Sequence, residues 1–424
     1  MFRPNVSRNM LLFALYDWAN SAYSTLSITV LVTYLQSAVL PGPAGEIAWG
    51  WGVGCTMFVA ALLSPILGAM ADASANKRTW LTGTTLTGSV AAMLMFFATP
   101  DRPWLLVGLF LITSLGFELS QGFYNAFLPE IATDEQMGRV SAWSYGAGYV
   151  GGGIALAIAF GLFLHGDKLG LPTANHFLPR FCLLLMGLWW LGFSLPTLIG
   201  LRDKGVPRVE PRRFSAAARV ALGEVRRTLT RIRQFRMLAI FLLGFLIFND
   251  GVQTVISQAS VFGVKVLKME TPELLQVILM IQFVALPGAL AVGWLADRIG
   301  QKRALVACLG VWILLLSCAF FVETRGQFWG MAVVVALVLG GTQSVSRTIM
   351  GQMTPERHAA EFFGFFNLSG KATSMFGPVL FSTILASTGS AHLAIVSLLV
   401  FFIAGTLIVL PLDVTRGRRE ARHP

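Results

Sequence analysis

Charge is what this 424-residue chain has least of. Asp, Glu, Lys and Arg make up 12% of it, about half the roughly 25% of a soluble domain. With a hydrophobic share of 55% and a mean hydropathy of +0.68, the deficit excludes a water-soluble globular fold. Cysteine is sparse too. Cys55, Cys182, Cys308 and Cys318 lie in apolar runs with no CxxC and no His at ligand spacing, which argues against a zinc site or a disulfide framework. His165, His176, His358, His392 and His423 sit in loops or at helix ends. No pair of them has ligand spacing, so no metal is expected. No phosphate-binding GxxxxGK[ST] loop and no nucleophile–base constellation occurs. These absences argue against a cofactor, against ATP as the energy source and against an enzyme. Asp17 interrupts the first apolar run and no small-residue cleavage site follows, so the run reads as a helix rather than a signal peptide.

Long apolar runs are what the chain does have. A membrane-crossing helix needs about 20 such residues. Twelve segments qualify: 10–38, 47–71, 79–98, 104–128, 141–164, 179–200, 237–262, 272–296, 304–322, 327–352, 361–386 and 391–412. They predict an all-α polytopic membrane protein with 12 transmembrane helices. Residues 201–236 form a polar linker with eleven Lys and Arg against three acids. It separates a six-helix bundle over 1–200 from another over 237–412, and a basic tail follows over 413–424. Loops on the linker side carry 24 Lys and Arg, and loops on the other side carry six. That excess marks the cytoplasmic side, so the linker and both termini are expected there. The net charge of +11 is then topology facing anionic lipid, not a nucleic-acid surface. Arg212, Arg213, Arg226 and Arg227 of the linker are placed to meet headgroups.

The two halves resemble each other. "DWANS" at 17–21 matches "DGVQT" at 250–254, pairing Asp17 with Asp250, Asn20 with Gln253 and Ser21 with Thr254 at offset 233. "GAMADASANKR" at 68–78 matches "GWLADRIGQKR" at 293–303 at offset 225, pairing Gly68 with Gly293 and Asp72 with Asp297. The "PE" pairs at 129–130 and 355–356 match at offset 226, as do Gly151 and Gly377. Both copies start on the same side, which predicts parallel repeats about an axis along the membrane normal.

At "GWLADRIGQKR" the chain resembles the major facilitator superfamily, whose signature lies between helices 2 and 3 and recurs between helices 8 and 9. The first copy departs from it, with Ala73 for the usual basic residue and Ala75 for the usual glycine. "YDWANSAY", "GFYNAFLPEIA", "GYVGGG", "FNDGV", "SRT" and "EFFGFFNLSGKATSMFGP" are similar to one branch, the fungal vacuolar amino-acid effluxers and their uncharacterised bacterial relatives. The resemblance implies the major facilitator fold, a monomer, a bacterial inner-membrane location, and a central cavity lined by helices 1, 4, 7 and 10.

Those segments carry polar residues at helical spacing: Asp17, Asn20, Ser21 and Ser24; Glu118, Gln121 and Asn125; Asp250, Gln253, Thr254 and Ser257; Gln343, Ser344, Ser346 and Arg347. Carboxylates at membrane depth face a bundle interior or water and find partners. Asp17 and Asp250 are therefore expected to face each other across one hydrated space, as solute or ion sites or as an interhelical clamp. Burial disfavours a charged carboxylate, which suits Glu118 to load and release a proton unless Arg347 or Lys371 pairs with it. Arg347 could clamp a solute carboxylate or serve as a permanent partner of Glu118, Asp17 or Asp250. Lys371 could pair with Asp250. The loop residues read as gate chemistry. In the superfamily pattern Asp72 meets the start of helix 11 near Phe362 and Phe363, with Arg139 as its charged partner. Asp297, with Arg298 and Arg303 nearby, meets the start of helix 5. Gly148, Gly151, Gly152, Gly153 and Gly377 permit close helix approach. Tyr16, Trp18, Tyr23, Tyr124 and Tyr145 could contact a solute.

The expected function is secondary transport of a small polar solute, an amino acid or similar metabolite on the resemblance, coupled to protons. A lipid or amphiphile flippase, a multidrug-type exporter and a non-transporting sensor acting through the linker are the alternatives.

Overall fold

The computed structural model describes residues 7–172, 174–204, 214–230, 232–371 and 376–422. Among them there is no strand. In hydrocarbon each backbone N–H and C=O must bond within its own segment, and a helix does this. In chain order the long helices are α1 (Arg8–Leu26), α2 (Pro43–Ala73), α3 (Lys77–Leu94), α4 (Pro103–Asn125), α5 (Met137–His165) and α6 (Phe177–Gly200). There follow α7 (Arg236–Leu267), α8 (Thr271–Ile299), α9 (Gln301–Ala319) and α10 (Arg325–Gln352). Last come α11 (Ala359–Lys371, resumed over Phe376–Thr388) and α12 (Ala391–Ser397 with Leu399–Val409). π-Helical turns at Ser27–Leu31 and Leu35–Val39 extend α1. Among the described residues ten helices are long and apolar enough to cross a membrane, against the twelve expected. α1 falls short because its polar stripe dilutes it, and α11 because it is described in two pieces of 13 residues.

α1 packs on α5 and α6, and α3 on α4 and α6. Among the later helices α7 packs on α12, and α8 and α9 pack on α10. Two seams join the earlier helices to the later ones: α2 along α11, and α5 along α8 and α10. Leu314 on α9 and Val400, Ile403 and Leu407 on α12 are exposed, as apolar side chains facing lipid would be.

The linker is not wholly irregular. It holds a helix over Phe214–Thr230, with Ala221 fully buried against Ala69 and Met70 of α2. The Thr228 hydroxyl donates to Glu361 Oε1 at the start of α11 at 2.6 Å, so this helix bridges the α2–α11 seam. Arg226 and Arg227 are exposed; Arg212 and Arg213 lie outside the described residues. A tail helix (Val414–Arg422) reaches back to the loop before α5, where Arg422 Nη2 lies 2.7 Å from Asp134 Oδ2.

The departure from the loop signature has a visible consequence. α2 ends with Asn76 N–H donating to the Ala71 carbonyl at 3.0 Å, which leaves Ala75 at φ 47°. A glycine normally fills this left-handed position, and the second copy has Gly300, at φ 92°. A left-handed conformation costs an L-residue about 1–2 kcal/mol. Ala75→Gly is expected to raise stability by about 0.5–1 kcal/mol, after the extra freedom glycine has when unfolded. Thermal unfolding in detergent measures it, and an unchanged or lower midpoint contradicts it.

Candidate functional site

The sequence places Asp17 on the α1 face shared with Asn20 and Ser21. The fold turns its carboxylate into the seam between α5 and α10. Asp17 Oδ2 accepts from Arg347 Nη1 at 2.9 Å and from the Ser144 hydroxyl at 2.5 Å. Arg347 is 1% exposed, and each of its three nitrogens is engaged. Nε donates to Ser141 Oγ at 2.9 Å, Nη2 to the Ser141 carbonyl at 2.9 Å, and Nη1 also to Asn125 Oδ1 at 3.3 Å. The guanidinium lies 4.0 Å from the centre of the Tyr145 ring and 5.2 Å from that of Phe13. Small residues bring α10 this close to α5: Ser141 Oγ donates to the Ser344 carbonyl at 2.8 Å. A cation this deep is tolerated because a carboxylate and several acceptors surround it.

Asp250 holds the corresponding place on α7 and is 1% exposed. Its Oδ2 accepts from the Gly377 N–H of α11 at 3.0 Å. Its Oδ1 is buried and has no hydrogen-bond partner among the described residues. The packing of the two acids repeats. A Cβ on Gly148 would lie 2.7 Å from Ser21 Oγ and 3.2 Å from the Asp17 carbonyl. A Cβ on Gly377 would strike the Thr254 hydroxyl and lie 3.3 Å from the Asp250 carbonyl. The counterpart of Gly377 in space is thus Gly148, not Gly151, which lies against the backbone of Trp18. Asp17 is turned into the α5–α10 seam and Asp250 toward α11 among its own later helices, and among the described residues the two acids share no hydrogen-bond partner.

The loop residues meet the helix starts expected of them. Asp72 accepts from the Ala360 and Glu361 N–H groups at 3.1 and 2.9 Å, so its carboxylate satisfies orphan donors at the start of α11. Gly68 lets the α11 backbone touch α2, with the Ala360 carbonyl carbon 2.5 Å from where a Cβ would stand. At the other seam Gly293 meets Ala142, and Asp297 Oδ1 lies 3.2 Å from a Cβ position on Gly138 in the first turn of α5. Arg139 does not serve Asp72 as expected. It is the charge acting on Asp297, whereas Asp72 feels Lys77 and His358. Arg139 sits at the start of α5, opposite the end of α8, and Asp72 belongs to the other seam. Arg298 stacks 3.7 Å over Trp294 of its own helix, and Arg303 is exposed.

The remaining candidates are distributed unevenly. Ser21 and Thr254 donate to the carbonyls of Asp17 and Asp250, both at 2.7 Å. Asn20 is buried, its Nδ2 without a hydrogen-bond partner among the described residues, and Gln121 and Gln253 are half-buried. Gln343 Nε2 is 3.5 Å from Asn249 Oδ1, and Asn249 Nδ2 donates to the Gly370 carbonyl at 3.0 Å. Glu118 is buried, and its main-chain carbonyl accepts from Asn367 at 3.2 Å. Arg347 pairs with Asp17, not with Glu118. The Lys371 side chain lies outside the described residues. Tyr16, Tyr23 and Tyr124 are packed inside. The sequence reading missed Ser141, Ser144 and Asn249. Ser141, Ser144, Tyr145 and Gly148 show the same i, i+3, i+4, i+7 spacing as the α1 stripe, so that pattern applied to α5 finds them.

Comparison with known proteins adds three findings. Residues 52–422 match the family model described as "Vacuole effluxer Atg22 like". The chain is 32% identical over 403 residues to the uncharacterized MFS-type transporter YxiO of Bacillus subtilis, covering 94% of this chain and 93% of that protein. It is 26% identical over 450 residues to autophagy-related protein 22 of Coccidioides immitis, covering 87% and 72%. Among solved structures, the major facilitator transporter FucP in its outward conformation superposes with a TM-score of 0.72 at 13% identity, over 95% of this chain and 98% of FucP. The proton:xylose symporter XylE gives 0.71 at 12%, over 94% and 93%.

Proposed function

This chain belongs to the Atg22-like effluxer family of the major facilitator superfamily, integral membrane transporters rather than enzymes, and from that premise we propose that it exports a small zwitterionic solute, an amino acid or a close relative, by proton-coupled alternating access. In this reading α1 and α11 complete twelve spans in two parallel six-helix halves. The repeated packing of Gly148 on α1 and Gly377 on α7 supports the duplication. The Lys and Arg excess on the linker side supports a cytoplasmic linker and termini in a bacterial inner membrane. Asp72 at α11, Ser141 at Ser344 and Asp134 at the tail all hold the linker end together, which supports a state closed on that side.

The observation that carries the proposal is the buried Asp17–Arg347 pair across the seam. When the halves part at the linker end, each charge loses its partner at membrane depth. A zwitterion supplies both replacements: its carboxylate fits the planar guanidinium fork, and its ammonium fits Asp17. Solute binding then favours separation because it interacts with the two states differently. Glu118 and Asp250 are the proton candidates that this pair does not consume. The partners in this reading are the solute, protons and lipid, and the unit is a monomer.

A panel of amino acids, their amides and their decarboxylated amines, scanned by thermal shift at two pH values, separates the classes. Stabilisation is expected from zwitterions alone. Equal stabilisation by the amides removes the guanidinium from the site. In proteoliposomes Glu118→Gln is expected to fold in wild-type yield and lose flux driven by a pH gradient; full proton-driven flux removes Glu118 from the coupling. An amphiphile flippase is the second reading. It is favoured by an apolar groove of about 250 Å³ between α1, α5 and α6, lined by Leu26, Ile158, Cys182 and Trp189, and competition by a lysophospholipid in the same screen supports it.

A further inference from the structure

A second polar crevice lies away from the seam, at the linker end where α3 begins beside the end of α6. Its volume is about 490 Å³, and Arg78, Thr82, Gly83, Leu86, Arg202 and Asp203 line it. Asp203 is already committed, because its two oxygens accept the Lys77 and Arg78 N–H groups at 2.8 and 3.2 Å and close the first turn of α3. Arg78 donates only Nε, to the Leu198 carbonyl at 2.6 Å. Its two terminal nitrogens and the whole exposed Arg202 guanidinium make no hydrogen bond among the described residues. A Cβ on Gly83 would meet nothing within 4 Å, so the crevice is open beside the backbone.

The surface below it is apolar. Leu86, Val90 and Leu94 follow down one face of α3 at four-residue steps, all exposed. Leu195 and Ile199, four residues apart, and Leu188 two turns before them are exposed on the packed neighbour α6. A basic crevice at the headgroup level therefore runs into a bare hydrocarbon-facing track.

We propose that this crevice binds an anionic glycerophospholipid, its phosphodiester on Arg78 and Arg202 and its acyl chains along the α3 and α6 tracks. Two guanidiniums and one carboxylate leave the lining with a single positive charge, which matches a phosphodiester monoanion better than the divalent charge of free phosphate. Guanidinium forks suit phosphate oxygens, and basic crevices between helices on a cytoplasmic face bind such headgroups. The leaflet rests on the orientation proposed above; the binding does not.

Native mass spectrometry of the full chain, released from micelles doped with dioleoylphosphatidylglycerol or dioleoylphosphatidylcholine, tests this directly. Retention of the phosphatidylglycerol and not of the phosphatidylcholine is expected. Arg78→Gln with Arg202→Gln should weaken it by roughly thirtyfold, on the usual contribution of a basic residue at an anionic surface. Arg78 also holds α6, so Arg202→Gln alone is the control that cannot fail by misfolding there, with roughly a fivefold loss expected. Equal retention of both lipids, or wild-type retention by Arg202→Gln, overturns the proposal. Displacement of the phosphatidylglycerol by millimolar inorganic phosphate overturns it too, by making the crevice a free-anion pocket.

Discussion

Replacing Arg347 with Gln is expected to abolish transport and to cost about 3–5 kcal/mol of stability, the loss seen when one partner of a buried ion pair is removed. Asp17 would keep the Ser144 hydroxyl at 2.5 Å but lose its counter-charge at a site where water cannot replace it. Asp17→Asn should cost about as much, because the guanidinium is then stranded among Ser141, Asn125 and Tyr145 with no counter-charge. The double variant tells apart a pair that holds the fold from one that moves solute. Two neutral amides can hydrogen-bond each other, so Asp17→Asn with Arg347→Gln should recover most of the stability and none of the flux. The coupling energy from the four unfolding midpoints in detergent measures the pair. Additive losses would mean that the two residues do not interact in the membrane-embedded protein. Wild-type flux in the double variant would show that the charges are scaffolding and would end the zwitterion account.

Gly68→Val acts on the other seam and on the equilibrium rather than on the solute. In the closed linker end, a Cβ on Gly68 would stand 2.5 Å from the Ala360 carbonyl carbon and 2.8 Å from the Glu361 nitrogen. These are backbone atoms of α11 and cannot swing away. Asp72 holds the same two residues by its hydrogen bonds, so α2 and α11 must move apart as a unit. Overpacking of this kind costs about 1–3 kcal/mol, and here it falls only on the state in which α2 touches α11. The population should therefore shift roughly 5- to 150-fold toward the open linker end. Spin labels at exposed Glu135 and Arg357, on opposite sides of the seams, should report a longer distance, and transport should slow as the state closed at the linker end becomes rare. A distance distribution identical to wild type would show that Gly68 does not set the closure.

The sequence was most informative where the signal is local. Apolar runs, the loop charge excess and the recurring "DWANS" and "DGVQT" placed the helices and the acids on them. Asp72 at the start of α11 was legible because the loop signature carries both the carboxylate and the partner it needs. What failed were the partners. Arg139 acts on Asp297, not Asp72; Arg347 takes Asp17 from the three acids open to it; and Ser141 and Ser144 on α5 complete the site. Periodicity gives the face a residue occupies on its own helix; it does not give the rotation of that helix or the height at which it meets its neighbour. Asp17 and Arg347 are 330 residues apart, and no local pattern links them. By itself, then, the chain determined that it is a bundle of membrane helices with acids on two matching stripes, because burial in hydrocarbon is decided residue by residue. Only the tertiary structure decided that one acid is neutralised by an arginine from a distant helix while the other meets a backbone N–H of α11. That outcome depends on how closely small residues let particular helices approach.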